Sequence, residues 1–185
     1  WSDIVSYLDD DVMRHYAESV SVARLAPHLA LLPVQFGNQD VSGRIRHYAL
    51  RGEEQAEPGR SRDVTITKRA MDAMGIDYQI LFPTPMLALG MHPNPAVETG
   101  IARAYARWII ERILSVEDSI KGMLYLPFND PAGSLRLVEE FCDEPGVVGF
   151  MVTSVRHKPV HDNCYMDLYR AIEARGLPLG FHAGY

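Results

Sequence analysis

A chain of 185 residues with 47% hydrophobic and 23% charged side chains is long enough to bury one substantial core and has the balance of an ordinary globular protein. Its net charge of −6, with Lys and Arg scattered among acids, excludes a dedicated nucleic-acid surface, which needs clustered cations. Two cysteines, Cys142 and Cys164, are too few for a disulfide scaffold, and no apolar run approaches the roughly 20 residues of a membrane span. The expectation is a cytoplasmic protein without a leader, a membrane partner or a nucleic-acid partner.

In chain order, residues 4–20 have the composition of a helix, whereas residues 32–62, rich in Gly, Pro, Gln and charge, read as a loop or insertion. Residues 65–74 predict a second helix. DYQILF at 77–82 is a short apolar run of strand formers closed by Pro83-Thr84-Pro85. A long amphipathic helix follows at 96–114, with Val97, Ile101, Ala104, Trp108 and Ile109 at spacings of three and four; Trp108 is assigned to the core. IKGMLYL at 120–126 gives a second strand, broken by Pro127-Phe128-Asn129-Asp130-Pro131 before a helix at 133–142 that carries Leu135, Val138 and Phe141. VVGFMV at 147–152 is a third strand without a charge. A polar loop at 153–163 leads to a helix at 164–175, which Gly176 closes as an αL cap, and LPLGFH at 177–182 is the fourth strand.

Strict alternation of strand and helix predicts parallel strands joined by right-handed crossovers. Four such units suit either half of a (β/α)8 barrel or a small doubly wound sheet. A doubly wound sheet would normally place a glycine-rich phosphate loop after its first strand, but that position holds Pro83-Thr84-Pro85-Met86, and neither GxGxxG nor GxxxxGK[ST] occurs anywhere. The barrel is therefore preferred, with an N-terminal helical and irregular segment over residues 1–64 and a partial barrel over 65–185, truncated at its C-terminal end. Half a barrel leaves two open strand edges, an association hazard.

In a barrel, a histidine at the carboxyl end of a strand points into the mouth where the catalytic loops gather, and His182 occupies that position. One imidazole does not make a catalytic metal site, which takes about three protein ligands and an open position. Thr84, Asn129, Ser154 and Arg156 fall in loops on the same side and are candidates for substrate contact, Arg156 as a bidentate clamp on a carboxylate; turn capping and solvation are the competing roles. His157 and His161 have a metal-pair spacing, but Pro159 between them predicts a loop. His92 lies in the loop from Pro83 to Pro95, a candidate lid. His15, His28 and His47 have no partner legible in the sequence.

Four motifs, in their order along the chain, carry a resemblance. The run Arg69 to Asp77 (RAMDAMGID), then Leu126 to Pro131 (LPFNDP), then Gly146 to Phe150 (GVVGF), then Tyr169 through Gly176 to His182 resembles the amidohydrolase-related family, in particular the branch of aminocarboxymuconate-semialdehyde decarboxylase and γ-resorcylate decarboxylase. The likeness covers residue 65 to the end. It implies a (β/α)8 barrel of which strands two to five are visible, with His182 as the fifth-strand ligand of one divalent metal, Zn²⁺ or Mn²⁺. It also implies a His-x-His pair, an acid/base His on the sixth strand and an Asp on the eighth, and nothing in this chain matches any of these. The catalytic residues thus lie outside the sequence, and the rest of the barrel is expected from further sequence or another chain, with a homo-oligomer as one arrangement. Residues 147–152 lack the Lys or Glu that bridges two metals in many relatives, which favours one metal.

The implied activity is metal-dependent, with a small-molecule carboxylate as substrate. Non-oxidative decarboxylation of an aromatic or unsaturated acid is preferred. Hydrolysis of an amide, ester or lactone by metal-activated water is the alternative, and a non-catalytic α/β binding module is the reading from a different class.

Overall fold

The computed structural model describes residues 4, 6–10, 12, 60–87, 89–154 and 157–183. Helix α1 spans Arg62–Met74. It starts three residues earlier than its apolar pattern suggests because Ser61 caps it, its hydroxyl accepting from the Val64 amide at 3.3 Å. It ends at Gly75, whose φ of 66° supplies the left-handed cap.

Strand β1 (Gln79–Leu81) is only three residues long, shorter than the DYQILF run. The loop after it folds into two 3₁₀ turns, Thr84–Met86 and Leu89–Met91, and buries Met86 and Leu89. Helix α2 (Pro95–Ile109) is capped by Asn94, whose side chain accepts from the Ala96 amide. It runs into a π turn, Ile110–Leu114, closed by the Ser115 amide donating to the Ile110 carbonyl at 2.9 Å. That wider turn keeps Ile109, Ile110, Ile113 and Leu114 all buried.

Strand β2 (Ile120–Tyr125) leads to α3 (Pro131–Phe141), capped by Asp130 with Pro131 at its first position. Strand β3 (Val147–Thr153) is followed by a 3₁₀ turn at Asn163–Tyr165, helix α4 (Met166–Glu173) and strand β4 (Leu179–His182). The last helix thus begins as a tighter turn, and Gly176, at φ 63°, lies just beyond it as expected.

All four strands are parallel and lie in the order β1-β2-β3-β4. A doubly wound sheet reverses its strand order at a switch point. This sheet never reverses, so it curls in one sense as half of a (β/α)8 barrel. Both margins, β1 and β4, are open among the described residues.

The register assigns the faces. A side chain at Gly122 would meet Leu114 and Ile109, so Ile120, Gly122 and Leu124 face the helices. The opposite face carries Lys121, Met123 and Tyr125, and strand pairing brings Ile80, Gly149, Met151, Thr153, Gly180 and His182 onto it. The helix side is the main core, with Leu124, Phe150 and Val152 almost wholly buried. Of the N-terminal region, Ile4 and Val12 are buried, and Asp9 pairs with Arg103 and Arg107 of α2 at 3.2 and 3.5 Å. The helix predicted over 4–20 is interrupted, because residues 6–9 are non-helical, a turn and a bend, between helical residues 4 and 10; its remainder from residue 13, residues 32–59 of the loop predicted over 32–62, and His15, His28 and His47 lie outside the described residues.

Strand pairing slips by one residue where Gly122 and Met123 oppose Val147 and Gly149, leaving Val148 as a bulge. Gly149 has φ 157°, and a Cβ there would sit 2.7 Å from the Pro178 carbonyl oxygen and 2.8 Å from Met123 Sδ. At Gly75 a Cβ would meet nothing within 4 Å. Gly149→Ala should therefore cost on the order of 3 kcal/mol, combining overpacking with backbone strain, whereas Gly75→Ala should cost only the αL penalty of about 1–2 kcal/mol. Urea denaturation of both variants checks the ranking, and equal losses would refute the close approach of β3 and β4.

Candidate functional site

Parallel strands entering from the same side put all four carboxyl ends, and the loops that follow them, on one rim. Residues 126–131 (LPFNDP) form the best-anchored of these loops. The Pro127 carbonyl accepts from Ser134 Oγ at 2.8 Å, and the Phe128 carbonyl accepts from the Tyr165 hydroxyl at 2.8 Å. The Phe128 and Tyr165 rings stack with centroids 4.0 Å apart and planes 5° from parallel. Asp130 accepts from the Gly133 amide and from Thr99 Oγ1 of α2, both at 2.9 Å.

Asn129 joins three loops. Its Nδ2 donates to the Gly90 carbonyl in the β1–α2 loop at 2.9 Å and to Glu98 Oε2 at 3.1 Å. Its Oδ1 accepts from the His157 amide in the β3–α4 loop at 2.9 Å. Both amide hydrogens of this candidate substrate contact are thereby committed within the protein. The Gly90 bond also ties down the loop that carries His92, the candidate lid.

Glu98, in the first turn of α2, is wholly buried. Its Oε1 accepts from the Tyr125 hydroxyl at 2.8 Å, and Oε2 takes the Asn129 bond. Those two donors favour the carboxylate, but loss of water outweighs them and the nearby Asp130 adds to it, so the Glu98 pKa rises to about 7. Tyr125, beside Thr153, is itself held far above the ordinary phenol range, first by burial and then by the Glu98 charge. The His92 pKa is lowered by burial, and its Nδ1 accepts from the Asn94 amide at 3.1 Å, a bond that suits the neutral ring.

His182 ends β4 on the inner face, in register with Thr153 and exposed, its Nδ1 2.7 Å from the Ala183 carbonyl. Thr84 and Ser154 are exposed on the same rim, at the ends of β1 and β3. Arg156 lies outside the described residues. His157 and His161 are both exposed in a non-helical loop, as Pro159 implies. Among the described residues no three His, Cys, Asp or Glu side chains come together to hold a metal ion. His182 alone falls short of the ligand set a catalytic divalent ion takes.

Glu98 and Tyr125 are absent from the candidates that the sequence suggests, although a signal is present. Glu98 shares a helix stripe with Ala102, Tyr105 and Ile109, all buried, so a charge on that stripe needs a partner.

No protein-family model matches the chain, and no curated protein matches it in sequence. In fold it is similar to 2,6-dihydroxybenzoate decarboxylase from Rhizobium, with a TM-score of 0.56, 19% identity and coverage of 78% of this chain and 45% of that one. A second structure of 2,6-dihydroxybenzoate decarboxylase, complexed with 2,6-dihydroxybenzoate, gives 0.57, 18%, 78% and 45%. A 5-carboxyvanillate decarboxylase from Novosphingobium aromaticivorans, with bound manganese and a nitrobenzoic acid, gives 0.59, 20%, 78% and 40%. The chain thus spans less than half the length of the structures it matches. The class defined by this fold is the (β/α)8 barrel. The solved structures that share it are a 2,6-dihydroxybenzoate decarboxylase and a 5-carboxyvanillate decarboxylase.

No helix among the described residues is long and apolar enough to cross a membrane.

Because the folded Glu98 pKa of about 7 lies above its ordinary 4.5, the folded state binds its proton more tightly. The stabilisation is full below about 4.5 and is lost as pH rises through about 7, on the order of 3 kcal/mol for a shift of this size. Urea denaturation from pH 4.5 to 8 should show that fall in the wild type and a flatter profile in Glu98→Gln. Parallel profiles would mean that Glu98 titrates normally.

Proposed function

We propose that this chain is part of a metal-dependent decarboxylase of the amidohydrolase superfamily, acting on a small aromatic or unsaturated carboxylic acid. One observation carries the reading: the half-barrel shared with decarboxylase structures ends a strand in His182, on the inner face and at the rim where barrel enzymes place their chemistry. His182 would be one ligand of a divalent ion, Zn²⁺ or Mn²⁺, whose other ligands lie outside the described residues. A manganese ion is bound in one fold neighbour, which suits that ligand type. Such an ion, when bound, supplies Lewis acidity toward a carboxylate and an adjacent oxygen.

This chain's own residues would shape the approach. Thr84 and Ser154 offer hydroxyls to a carboxylate, Arg156 offers a bidentate cation, and Asn129 holds the loops that carry them. Hydrolysis by metal-activated water would use the same rim, and the likeness in fold to two kinds of decarboxylase favours loss of CO2. The rest of the barrel, from further sequence or another subunit, would complete the site in the cytoplasm.

The test is metal analysis and CO2 release on the complete protein. About one equivalent of Zn or Mn should be present, falling below a tenth in His182→Ala with the far-ultraviolet circular dichroism unchanged. A panel of hydroxybenzoates should release CO2 with wild type, and activity should fall at least about 1,000-fold in the variant, a loss of about 4 kcal/mol of barrier lowering. A metal-free wild type, or full activity in His182→Ala, would overturn the proposal.

A further inference from the structure

We propose that Glu98 is the positioning residue of the rim: through Asn129 it fixes where the β3–α4 loop, at His157, stands relative to the strand ends. The relay is short and every link is a hydrogen bond. Glu98 Oε2 accepts from Asn129 Nδ2 at 3.1 Å, and Asn129 Oδ1 accepts from the His157 amide at 2.9 Å. A planar amide cannot rotate one end without the other, so the Glu98 contact sets the direction in which Oδ1 points. The second Nδ2 hydrogen is spent on the Gly90 carbonyl, which brings the β1–α2 loop under the same control.

The placement is difficult to explain as packing alone. A wholly buried carboxyl carries a desolvation penalty that an apolar side chain of similar size avoids. Glu98 nevertheless sits on the apolar stripe of α2, held between Tyr125 on one oxygen and Asn129 on the other. Tyr125 locks the carboxyl plane from β2, and that plane locks Asn129. The rigid sheet is thereby connected to the loops that would meet substrate, as support for a site requires.

Both donors point at Glu98, so a neutral side chain can replace the carboxylate only by reversing one bond. Glu98→Gln can do so: its carbonyl accepts from Asn129 while its amide donates to the Tyr125 oxygen, which accepts as well as donates. Glu98→Ala cannot. The conservative variant should therefore keep the loop in place and the truncation should release it.

Hydrogen exchange by mass spectrometry on the complete protein separates these cases without reference to any reaction. In Glu98→Ala the segment containing the His157 amide should lose about tenfold of its protection, the effect of losing one hydrogen bond of ordinary net strength, while the amides of β2 and β3 keep theirs. Glu98→Gln should restore wild-type protection. Asn129→Ala should reproduce the loss, and the double variant Glu98→Ala/Asn129→Ala should add nothing to it, because both act through one relay. Additive losses, unchanged His157 protection, or a uniform loss across the sheet would each overturn the proposal. If Glu98→Ala does not fold, Asn129→Ala together with Glu98→Gln decides: loss in the first with retention in the second supports the relay, and any other pattern removes it.

The importance of the relay for catalysis rests on the decarboxylase reading, and kinetics distinguish the two. With an acid that the wild type decarboxylates, Asn129→Ala should raise KM more than it lowers kcat. Should no acid be turned over while the exchange pattern holds, the proposed reaction fails and the positioning role stands; turnover with an unaltered exchange pattern removes the positioning role and leaves the reaction in place.

Discussion

The constraint on which the rest of the structure depends is the unbroken order of four parallel strands. Parallel neighbours need a crossover between them, and right-handed crossovers repeated in one direction put every helix on one face and every strand end on one rim. Ile120, Gly122 and Leu124 then face helices while Tyr125, Met151, Thr153 and His182 share the other face, although they come from three different strands. Residues far apart in sequence thus become neighbours without any special contact between them.

A rim made of loops needs its backbone groups satisfied and its loops held, and in this chain residues 126–131 do both. Two carbonyls of the segment are taken by Ser134 and Tyr165, Asp130 spans α2 and α3, and Asn129 binds two further loops. The asparagine depends in turn on Glu98. Here the competing effects are large: burial disfavours the charge strongly, two donors favour it less strongly, and the outcome is a carboxyl poised near neutrality rather than one ionised throughout. Surface ion pairs such as Arg170 with Asp167, both well exposed, contribute little by comparison.

Much of this is legible in the sequence because periodicity reports burial. The three apolar runs at 77–82, 120–126 and 147–152 each form a strand, and the alternation of strand with helix selects the parallel sheet. Boundaries shift where a polar residue outweighs the apolar pattern: Ser61 starts α1 early, and the Asp162 cap draws the chain into a 3₁₀ turn before α4. The site is less legible. His182 can be placed at a strand end, but Asn129 reads as a residue facing substrate, and nothing local reveals that its amide is committed on both sides. Glu98 escapes notice because the apolar members of its helix dominate the pattern, whereas its one buried acid lies on the same stripe. Contacts at sequence separations of 27 and 31 residues create the network, and a local pattern does not contain them.

The two candidate functions of the rim differ in how far this chain completes them. The Glu98 network is closed: each polar atom of the carboxyl has a donor, and those donors come from two neighbouring elements already in place. His182 is the opposite case. It stands on the marginal strand, exposed, with Phe181 beside it 56% exposed on the helix face and Ile80 50% exposed at the other margin. Covering the open half of each of these side chains would stabilise the assembly by about 1 kcal/mol apiece, and pairing the edge of β4 that is open among the described residues would satisfy its backbone. A strand laid against β4 would therefore order His182 and cover Phe181 in the same step. Under the proposed reading, metal binding and closure of the barrel at this margin are one event, whereas the loops of the rim are set beforehand by a carboxyl that needs neither.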